Sequence, residues 1–469
     1  MRPFTFTSFV APVASVALLA SACSSSPSGS FSGSSLGPSG SSGSSGSSPG
    51  PASGSEHDGG SPLWPSQPNV PAKECTIDTT AHAIWTDGTH PDETTDGINA
   101  AIKASVAEGC GHIKLPAGTY SIGKKVSDSY TSGISLESGM ILVLDPNAVL
   151  KLRPTDTWAY CAVEISRKHD VGVRGGSIVG DRDEHDFKVP GEEGHCICIQ
   201  DESERIAIDG VKASKAIGDG VLIVAQGADG SSCKDVSIRN SELFDNRRQG
   251  VSIVGGMRVL IENNQIHHIQ GTAPQFGIDI ESLSYKSEDI QIIGNDFHHN
   301  KGGDFVNTDG RNVLFERNKM EDGDGNTYVD GPVIYWSNTD QIIRDNDIYM
   351  ARGSANGKMG ILEYSHKKPR TNPARTVIEG NRLRECSINV QHDSRITVRK
   401  NTVRGPNNAI ILYKVDDVEL VDNVLEKEGA SYSYMIHECT GTASGNVLNG
   451  APYSIAMTKD KPFSNWDGN

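Results

Sequence analysis

Two carboxylates separated by one residue are the strongest candidates for chemistry in this sequence. Asp279 and Glu281 lie in the stretch FGIDIES, where they alternate with Ile278 and Ile280. Alternate residues of a strand face the same side, about 6.6 Å apart, so both carboxylates are expected to point outward. Two such groups raise each other's pKa and can form an acid and base pair, at a separation near the inverting-glycosidase range of about 6.5 to 9.5 Å. A solvated strand face is the alternative.

Charged residues in the neighbouring segments enlarge this candidate site. Arg248 precedes the carboxylates, and it could act as a base or neutralise a substrate carboxylate. Asp304 and His299 follow them and could assist. The predicted catalytic residues are Asp279, Glu281, Arg248, Asp304 and His299.

Polar and aromatic residues around these segments are predicted to bind substrate. Flat rings stack on sugar faces, and basic side chains attract carboxylates or sulfates. A solvated loop would account equally well for about half of the aromatic and basic residues after position 330. The predicted substrate-binding residues are Arg247, Asn307, Asp309, Trp336, Tyr364, His366 and Lys367.

Two histidine pairs recur 31 residues apart. His267 and His268 correspond to His298 and His299, at the same interval as Asn264 and Asn295, so the pairs are expected to stack. Stacked histidines can serve as bases or metal ligands, but a ladder of turn residues is favoured, and no metal site is predicted. No cofactor is required, although the aspartates at 181, 183 and 186 leave Ca²⁺ open as an alternative to a polar turn.

A sequence repeat indicates the structure that positions these candidate site residues. It consists of a few β-formers, a polar gap, an asparagine and an apolar residue two places later. Successive asparagines are 31, 23, 28, 35, 20, 22 and 23 residues apart, which indicates a unit of just over twenty residues with inserted loops. The asparagines are Asn264, Asn295, Asn318, Asn346, Asn381, Asn401, Asn423 and Asn446.

Each repeat holds at least two short strands with inward apolar residues and no helical period, which predicts a parallel β-solenoid. An asparagine at a fixed turn can adopt a left-handed backbone and bond to its copy on the next coil. Only the stretch from Asp87 to Tyr120 has helical spacing, and its helix is expected to cover the open first coil.

This N-terminal stretch, with GISLESGMILVLDPNAVLKL (133–152) and GGSIVGDRDEHD (175–186), resembles the pectate-lyase-like right-handed β-helix superfamily. The resemblance implies an all-β, single-stranded right-handed parallel β-helix with an N-terminal capping helix, over residues 73–469. The superfamily includes polysaccharide lyases, glycoside hydrolases, uronate epimerases, tailspikes and non-catalytic coils. FGIDIES is also similar to the catalytic strand of mannuronan C5-epimerases at Asp279, but Phe276 and Glu281 replace that family's proton-transfer pair.

The N-terminal residues resemble a targeting signal followed by a flexible linker. Residues 1–22 resemble a lipoprotein signal peptide, with Cys23 as the lipidated residue, and an ordinary secretory cleavage site is the alternative. Residues 23–72 are rich in Ser, Gly and Pro and predict a flexible linker. The expected location is therefore the bacterial cell surface, or otherwise the medium.

Eight cysteines remain beyond Cys23, and an even number in an exported protein permits disulfides. The pairings expected first are Cys75 with Cys110 and Cys386 with Cys439. Buried free thiols are an equal alternative for Cys196 and Cys198.

The composition excludes two function classes. Forty-three basic against 59 acidic residues give a net charge of -16, which argues against a nucleic-acid partner, and only 36% of the chain is hydrophobic, which excludes a membrane bundle. The sequence favours a tethered, exported enzyme that degrades an extracellular polysaccharide, leaning to β-elimination of a uronate-containing polymer. The alternatives are an inverting glycoside hydrolase that uses Asp279 and Glu281, and a non-catalytic carbohydrate-binding surface protein. A homotrimer is left open.

Overall fold

A computed structural model describes residues 64–455 and 457, except for 189–190, 226–230, 283–284, 323–333, 337–339, 351–358, 365–374, 406–409 and 428–433. The predicted signal peptide, Cys23 and most of the predicted linker lie outside the described residues. In the described part of the chain, no helix is both long enough and apolar enough to cross a membrane.

The described residues form one helix and 41 short strands. The first coils contain β1 (Glu74–Thr76), α1 (Pro91–Ala107), β2 (His112–Leu115), β3 (Gly118–Ile122), β4 (Lys124–Lys125), β5 (Tyr130–Ser135), β6 (Met140–Leu144), β7 (Ala148–Leu152), β8 (Ala159–Ser166), β9 (His169–Arg174), β10 (Ser177–Val179), β11 (Glu193–Gln200), β12 (Glu204–Asp209) and β13 (Lys212–Ser214). The middle coils contain β14 (Asp219–Val224), β15 (Cys233–Arg239), β16 (Glu242–Phe244), β17 (Gln249–Val254), β18 (Gly256–Glu262), β19 (Gln265–His267), β20 (Phe276–Ile280), β21 (Glu288–Ile293), β22 (Asp296–His298), β23 (Gly303–Asn307), β24 (Arg311–Glu316), β25 (Lys319–Asp322), β26 (Ile334–Trp336) and β27 (Gln341–Arg344). The last coils contain β28 (Asp347–Met350), β29 (Met359–Tyr364), β30 (Thr376–Glu379), β31 (Arg382–Arg384), β32 (Ser387–Gln391), β33 (Ser394–Arg399), β34 (Thr402–Gly405), β35 (Ile410–Tyr413), β36 (Asp416–Val421), β37 (Val424–Lys427), β38 (Tyr434–His437), β39 (Gly441–Ser444), β40 (Val447–Leu448) and β41 (Ala451–Pro452).

The strands form three long sheets, each built from every third strand of the chain. Sheet A runs β1, β2, β6, β9 and onward to β39, and sheet B runs β3, β7, β10 and onward to β40 and β41. Sheet C runs β4, β5, β8, β11 and onward to β38. Among the described strands the pairing is parallel, except between β4 and β5 and between β40 and β41. The predicted parallel β-helix is therefore confirmed.

Inward side chains stack into columns that form the core. In sheet C, Ile197, Val221, Val251, Ile278 and Phe305 pair in register across five successive coils, and all are fully buried. Burying an aliphatic or aromatic side chain of this size contributes about 1.5 to 3 kcal/mol. The same alternation turns the residues between them to the outer face of the sheet.

The eight asparagines form a buried ladder. The side-chain oxygen of Asn295 accepts hydrogen bonds from the backbone N–H of Asn264 at 2.9 Å and from its Nδ2 at 3.0 Å. The same pattern repeats along the column to Asn446. The predicted bonding between copies is confirmed, but the left-handed conformation belongs to the preceding residue, such as Asn263 or Arg317. The role of the asparagine is instead carried by its side chain, which forms hydrogen bonds with buried backbone groups at the turn.

The predicted capping helix is α1. Its residues Ile98, Ala101 and Ile102 are buried at the N-terminal end of the core, as their spacing predicts. Pro91 occupies the first turn, where its missing N–H leaves no helical bond unmade.

The cysteines pair differently from the prediction. Cys75 and Cys110 form a disulfide as expected, and Cys161 pairs with Cys198. Cys386 and Cys439 are buried and not disulfide-bonded, as are Cys196 and Cys233. Cys386 directly precedes β32 and Cys439 follows β38, and β35 lies between these two strands. The cysteines are therefore two coils apart, a spacing of at least about 9.6 Å, which is too far for a disulfide.

The last residues of the predicted linker are ordered against sheet A. The backbone N–H of Ser66 donates to Asp235 at 3.1 Å, and that of Asn69 donates to Asp170 at 2.9 Å. The guanidinium of Arg239 lies over the ring of Trp64 at 5.9 Å. Residues 64–72 therefore belong to the folded part of the chain, which corrects the predicted boundary at 72.

Candidate functional site

The candidate site lies on the outer face of sheet C, where its middle coils meet. Asp279 on β20 pairs in register with Ser252 on β17 and Val306 on β23. Ile278 and Ile280 point into the core, so the alternation of the strand turns Asp279 outward, as expected. Glu281 follows directly and donates its backbone N–H to Ile253 at 3.1 Å.

Asp279 is a buried carboxyl group in a setting that favours its protonated form. Only 3% of the residue is exposed, and its Oδ2 accepts a hydrogen bond from Nε2 of Gln249 at 2.7 Å. Gln249 is itself fixed, because its Oε1 accepts the backbone N–H of Phe276 at 2.7 Å. Burial, together with the negative charge of Glu281, raises the pKa of Asp279 to about 7 against the opposing charge of Arg248.

Glu281 is a second carboxyl group with a raised pKa. Burial is the main cause, and the exposed Asp309 adds a further negative charge, while Arg248 acts in the opposite direction. Asp279 and Glu281 therefore both have raised pKa values, with different neighbours contributing to each, and both lie in the electrostatic field of Arg248. This is the arrangement in which one carboxyl group can donate a proton and its neighbour can accept one.

Arg248 is held by a carboxylate that sequence reasoning missed. Its guanidinium Nη1 lies 3.3 Å from Oδ2 of Asp219, which is fully buried on β14, and 3.4 Å from the hydroxyl of Ser252. Burial alone would lower the pKa of Arg248, but Asp219 and Asp279 outweigh it and raise the pKa above its usual value. Arg248 therefore stays charged, which removes the predicted role as a base and leaves the neutralising role.

His195 completes this buried group of charges. Its Nδ1 lies 3.3 Å from Oδ2 of Asp219, and its Nε2 lies 3.5 Å from Oε2 of Glu193. Burial alone would lower the pKa of His195, but the two carboxylates raise it to about 9. We call His195, Asp219, Arg248, Asp279 and Glu281 the charged cluster.

The charged cluster alternates in sign along the sheet. Asp219 lies between the cations His195 and Arg248, and these two cations keep its pKa below the usual value although burial acts to raise it. The positive end of this chain of charges faces Asp279 and Glu281. The cluster can thus hold a permanently positive Arg248 beside Asp279, whose pKa is about 7, and Glu281, whose pKa is raised by burial.

Arg247 anchors a neighbouring loop. Its guanidinium lies over the ring of Phe187 at 4.8 Å, and its Nη1 donates to the carbonyl of Gly191 at 3.1 Å. Arg247 directly precedes Arg248 in the chain, and the loop uses part of its donor capacity.

The structure separates the other predicted residues. Asp304 lies on β23, next to the strand that carries Asp279, and accepts a hydrogen bond from Asn300 at 2.9 Å. Asn307 is a correction: it pairs with Ile280, is fully buried, and bonds to the backbone N–H of Gly310 and to Gln341. Because Asn307 follows the inward Phe305 by two residues, its side chain faces the core and not a substrate.

The aromatic and basic residues of the later coils are described only in part. Trp336 and Tyr364 lie on β26 and β29 of sheet C, where Trp336 pairs in register with Asn307. His366 and Lys367 lie outside the described residues.

The two histidine pairs stack on consecutive coils as predicted. His267 and His298 pair in register, with ring centroids 4.5 Å apart, and His268 and His299 are stacked at 4.7 Å. We call these four residues the histidine cluster. His299 thus stacks at the turn after sheet B, beside His268 and His298. Burial and the neighbouring histidines lower the pKa of His298 to about 4.

The three aspartates considered for Ca²⁺ bind different partners. Asp181 bonds to Thr155 and His185, Asp183 pairs with Lys215, and Asp186 pairs with Lys188. Because their carboxylates face these separate groups, the polar-turn interpretation fits them best.

A repeated dipeptide could have revealed the missed residues. Asp219, Gln249 and Phe276 each precede a glycine and then a core Val or Ile, at intervals of 30 and 27 residues. Asp219 pairs in register with Gln249, and a Cβ on Gly250 would lie 2.5 Å from the backbone oxygen of Gly277. The coils therefore approach too closely for a side chain at this column, and the residue before each glycine stacks on its copy.

A family model and curated relatives match this chain. The model, described as a right-handed β-helix region, matches residues 227–357. The Bacillus subtilis (strain 168) protein YclG, described as uncharacterised, is 28% identical over 362 residues, which cover 71% of this chain and 60% of YclG. The chain therefore spans about three fifths of the length of this relative.

Two solved structures share the fold at low sequence identity. A hyperthermoactive exopolygalacturonase from Thermotoga maritima has a TM-score of 0.51 at 13% identity, covering 83% of this chain and 95% of that one. A tailspike protein of the Escherichia coli bacteriophage HK620, solved with a pentasaccharide, has a TM-score of 0.51 at 11% identity and covers 84% of both chains. These likenesses show the fold alone, and together with the family model over residues 227–357 they agree with the right-handed parallel β-helix seen in the structure.

Proposed function

We infer that this right-handed parallel β-helix protein is a carbohydrate-active enzyme that cleaves an extracellular polysaccharide by hydrolysis at the charged cluster. The observation that carries the inference is the pair of carboxyl groups, Asp279 with a pKa of about 7 and Glu281 with a raised pKa, beside a single fixed arginine. Glycoside hydrolysis needs one carboxyl group that is protonated and one that is ionised, on the two sides of the bond.

Each residue of the cluster has a role in this proposal. Asp279 is the general acid, because burial keeps its proton available near neutral pH for the leaving oxygen. Glu281 is the general base that activates water. The charge of Arg248 favours the ionised form of Glu281, which a base requires, and His195 and Asp219 are positioning residues that hold Arg248.

The polysaccharide class follows from the shape of the sheet. Outward residues of successive coils repeat about every 4.8 Å, which gives a long, ordered face suited to a polymer. One structure with this fold is an exopolygalacturonase, and another was solved with a pentasaccharide. We extend the substrate class to this chain on that basis.

β-Elimination is the second candidate, and Arg248 is the observation that favours it. Elimination beside a uronate carboxylate needs that carboxylate neutralised, and Arg248 is a permanent cation next to Asp279. In this reaction ionised Asp279 would remove the C5 proton. The competing observation is that Asp219 already neutralises Arg248 at 3.3 Å, so we place hydrolysis first.

A panel of neutral and uronate-rich polysaccharides tests the proposal. Two products are followed together: new reducing ends, and the ultraviolet absorbance of an unsaturated uronate. Reducing ends alone support hydrolysis, both signals support elimination, and binding with neither signal overturns the enzymatic proposal in favour of a carbohydrate-binding protein. Asp279→Asn and Glu281→Gln should each remove the activity, whereas Asp289→Asn, on sheet A of the same coil, should retain it.

Export and tethering are part of the same proposal. Cys23 would carry the lipid that holds the folded part of the chain at the cell surface through the Ser- and Gly-rich segment. Cells fed a labelled fatty acid should label the wild-type chain and not Cys23→Ser, and the variant should appear in the medium. Labelling that persists in Cys23→Ser would contradict lipidation at this residue.

A further inference from the structure

An outward column of residues on sheet C changes from polar to apolar directly after the charged cluster. Ser252 pairs in register with Asp279, and Asp279 pairs with Val306. The register continues through Tyr335 and Leu362 on the next two coils. We call Val306, Tyr335 and Leu362 the apolar column. Because each coil advances the sheet by about 4.8 Å, Tyr335 lies about 9.6 Å from Asp279 along the sheet.

The alternation of the strands turns the apolar column outward. The residues that directly precede its three members are fully buried in the core: Phe305, Ile334 and Ile361. The members themselves therefore face the other side of the sheet, where Tyr335 and Leu362 are partly exposed. Trp336, which the sequence favoured for sugar binding, is not a member of the column, because it pairs in register with Asn307.

The strands that carry the apolar column hold no cation. β20, β23, β26 and β29 contain neither Lys, Arg nor His, and their charged residues are Asp279, Asp304 and Glu363. Glu281 follows β20 directly, and Arg248 is already held by Asp219 at 3.3 Å. A polymer with a carboxylate on each sugar would therefore meet like charges at this end of the site.

A flat ring and aliphatic side chains suit the apolar face of a sugar. The C–H groups of a pyranose ring form such a face, which packs on an aromatic ring without needing a charge. Removing this face from water is favourable in proportion to its apolar area. Since the members of the column follow one another about every 4.8 Å, one polymer chain lying along the column would contact all three.

We propose that the apolar column binds the sugar rings of a neutral polysaccharide beside the cleavage site, with Tyr335 as the stacking residue. The inference rests on the proposed function for the cleavage step and adds the substrate class to it. Binding does not require Asp279 or Glu281 to react, so it can be measured on a protein that does not cleave.

Native electrophoresis in gels that contain a soluble polysaccharide measures binding without cleavage. The protein is the full chain carrying Asp279→Asn. The neutral probes are laminarin, galactomannan and arabinoxylan, and the uronate probes are polygalacturonate and alginate. At least one neutral polymer should retard the protein, equally at low and at high salt, because no charge contributes to the contact. Retardation by the uronate polymers alone, or by no polymer of the panel, would overturn the proposal.

Substitutions of Tyr335 in this Asp279→Asn protein locate the binding. Tyr335→Ala should weaken binding of the retarding polymer about 10-fold, whereas Tyr335→Phe keeps the ring and should bind within about 3-fold. The matched control is Tyr349→Ala, because Tyr349 is also partly exposed and lies on sheet B of the same coil. It should bind as the parent protein does, and equal binding by folded Tyr335→Ala would refute the stacking role.

Urea denaturation shows whether each variant folds. If Tyr335→Ala fails to fold, Tyr335→Leu keeps an apolar side chain without a flat ring and should bind about 5-fold more weakly than the parent. Undiminished binding by Tyr335→Leu would then refute the stacking role.

Kinetics separate this inference from the proposed hydrolysis. With both carboxyl groups intact, Tyr335→Ala should raise KM about 10-fold and change kcat by less than about 2-fold. Binding of a neutral polymer that depends on Tyr335, without any cleavage, would refute the hydrolysis and support the apolar column. Cleavage with an unchanged KM in Tyr335→Ala would support the hydrolysis and refute the apolar column.

Discussion

At the scale of single residues, the protonation of Asp279 decides what the charged cluster can do. Its carboxyl group is buried between Gln249 and the charges of Glu281 and Arg248, and its pKa lies near 7. A general acid works only while it holds its proton, so it is active below its pKa and inactive above it. The pKa of Glu281, raised above its usual value of 4.5, sets the opposite limit, because a base works only when ionised.

We expect a bell-shaped pH profile for kcat. Activity should fall as pH rises through about 7, because Asp279 loses its proton. It should also fall on the acid side, as Glu281 gains one. Asp279→Asn should lower kcat by about 100-fold to 10,000-fold and abolish the alkaline limb, as measured by initial rates from pH 4 to 9. An alkaline limb that survives in the residual activity of Asp279→Asn would assign that limb to another group.

The raised pKa of Asp279 also predicts how the free energy of unfolding depends on pH. The pKa of Asp279 is raised by folding, so its contribution to stability is fully present below its unfolded pKa near 3.9 and is lost as pH rises through about 7. Between these values the wild type should lose about 1.4 kcal/mol of unfolding free energy per pH unit relative to Asp279→Asn. Urea denaturation of both proteins at pH 5, 6 and 7 measures this difference, and parallel curves would show that the pKa is not raised.

At the scale of elements, the asparagine ladder fixes the turn between sheets A and B. Asn318 is a central member, whose Nδ2 donates to the carbonyl of Ile292 at 2.9 Å and whose oxygen accepts the backbone N–H of Asn295 at 2.9 Å. A turn with a buried backbone carbonyl and N–H needs such a partner, since water does not reach it. The ladder therefore explains why asparagine recurs while loop lengths vary.

We expect Asn318→Ala to lower the free energy of unfolding by about 2 to 4 kcal/mol, because it leaves those two buried backbone groups without a partner. Chemical denaturation measures the loss. The control is Asn147→Ala at an exposed position, which should change stability by less than about 0.5 kcal/mol. Equal effects of the two substitutions would mean that the ladder bonds add little to stability.

At the scale of the whole molecule, each coil contacts mainly its neighbours, so cross-links between coils act locally. The Cys75–Cys110 and Cys161–Cys198 disulfides close loops of 35 and 37 residues near the N-terminal half of the solenoid. Cross-links of that length stabilise by about 3 to 4 kcal/mol each in the chain-entropy model. The free thiols, by contrast, fill the core as small apolar groups.

We expect a chain that lacks Cys23 to present four free thiols when it is denatured without a reducing agent, and eight after reduction. Thiol titration gives the count, and peptide mapping by mass spectrometry gives the pairs. A peptide that links Cys386 to Cys439, with only two free thiols, would show that the two-coil separation is wrong.

The repeat, the asparagine column, the capping helix and the direction of Asp279 could all be predicted from the amino-acid sequence. These features follow from local alternation and from intervals along the chain, and a solenoid converts such intervals directly into stacking. Which residues of different coils contact each other became visible only in the folded chain. Because the loops differ in length, the sequence does not show directly the register that brings His195 and Asp219 to Arg248. The dipeptides Asp219-Gly220 and Gln249-Gly250, which pair in register, were the available signal. Burial raised the pKa of Asp279, the register of β23 placed Asn307 in the core, and a separation of two coils kept Cys386 and Cys439 from pairing.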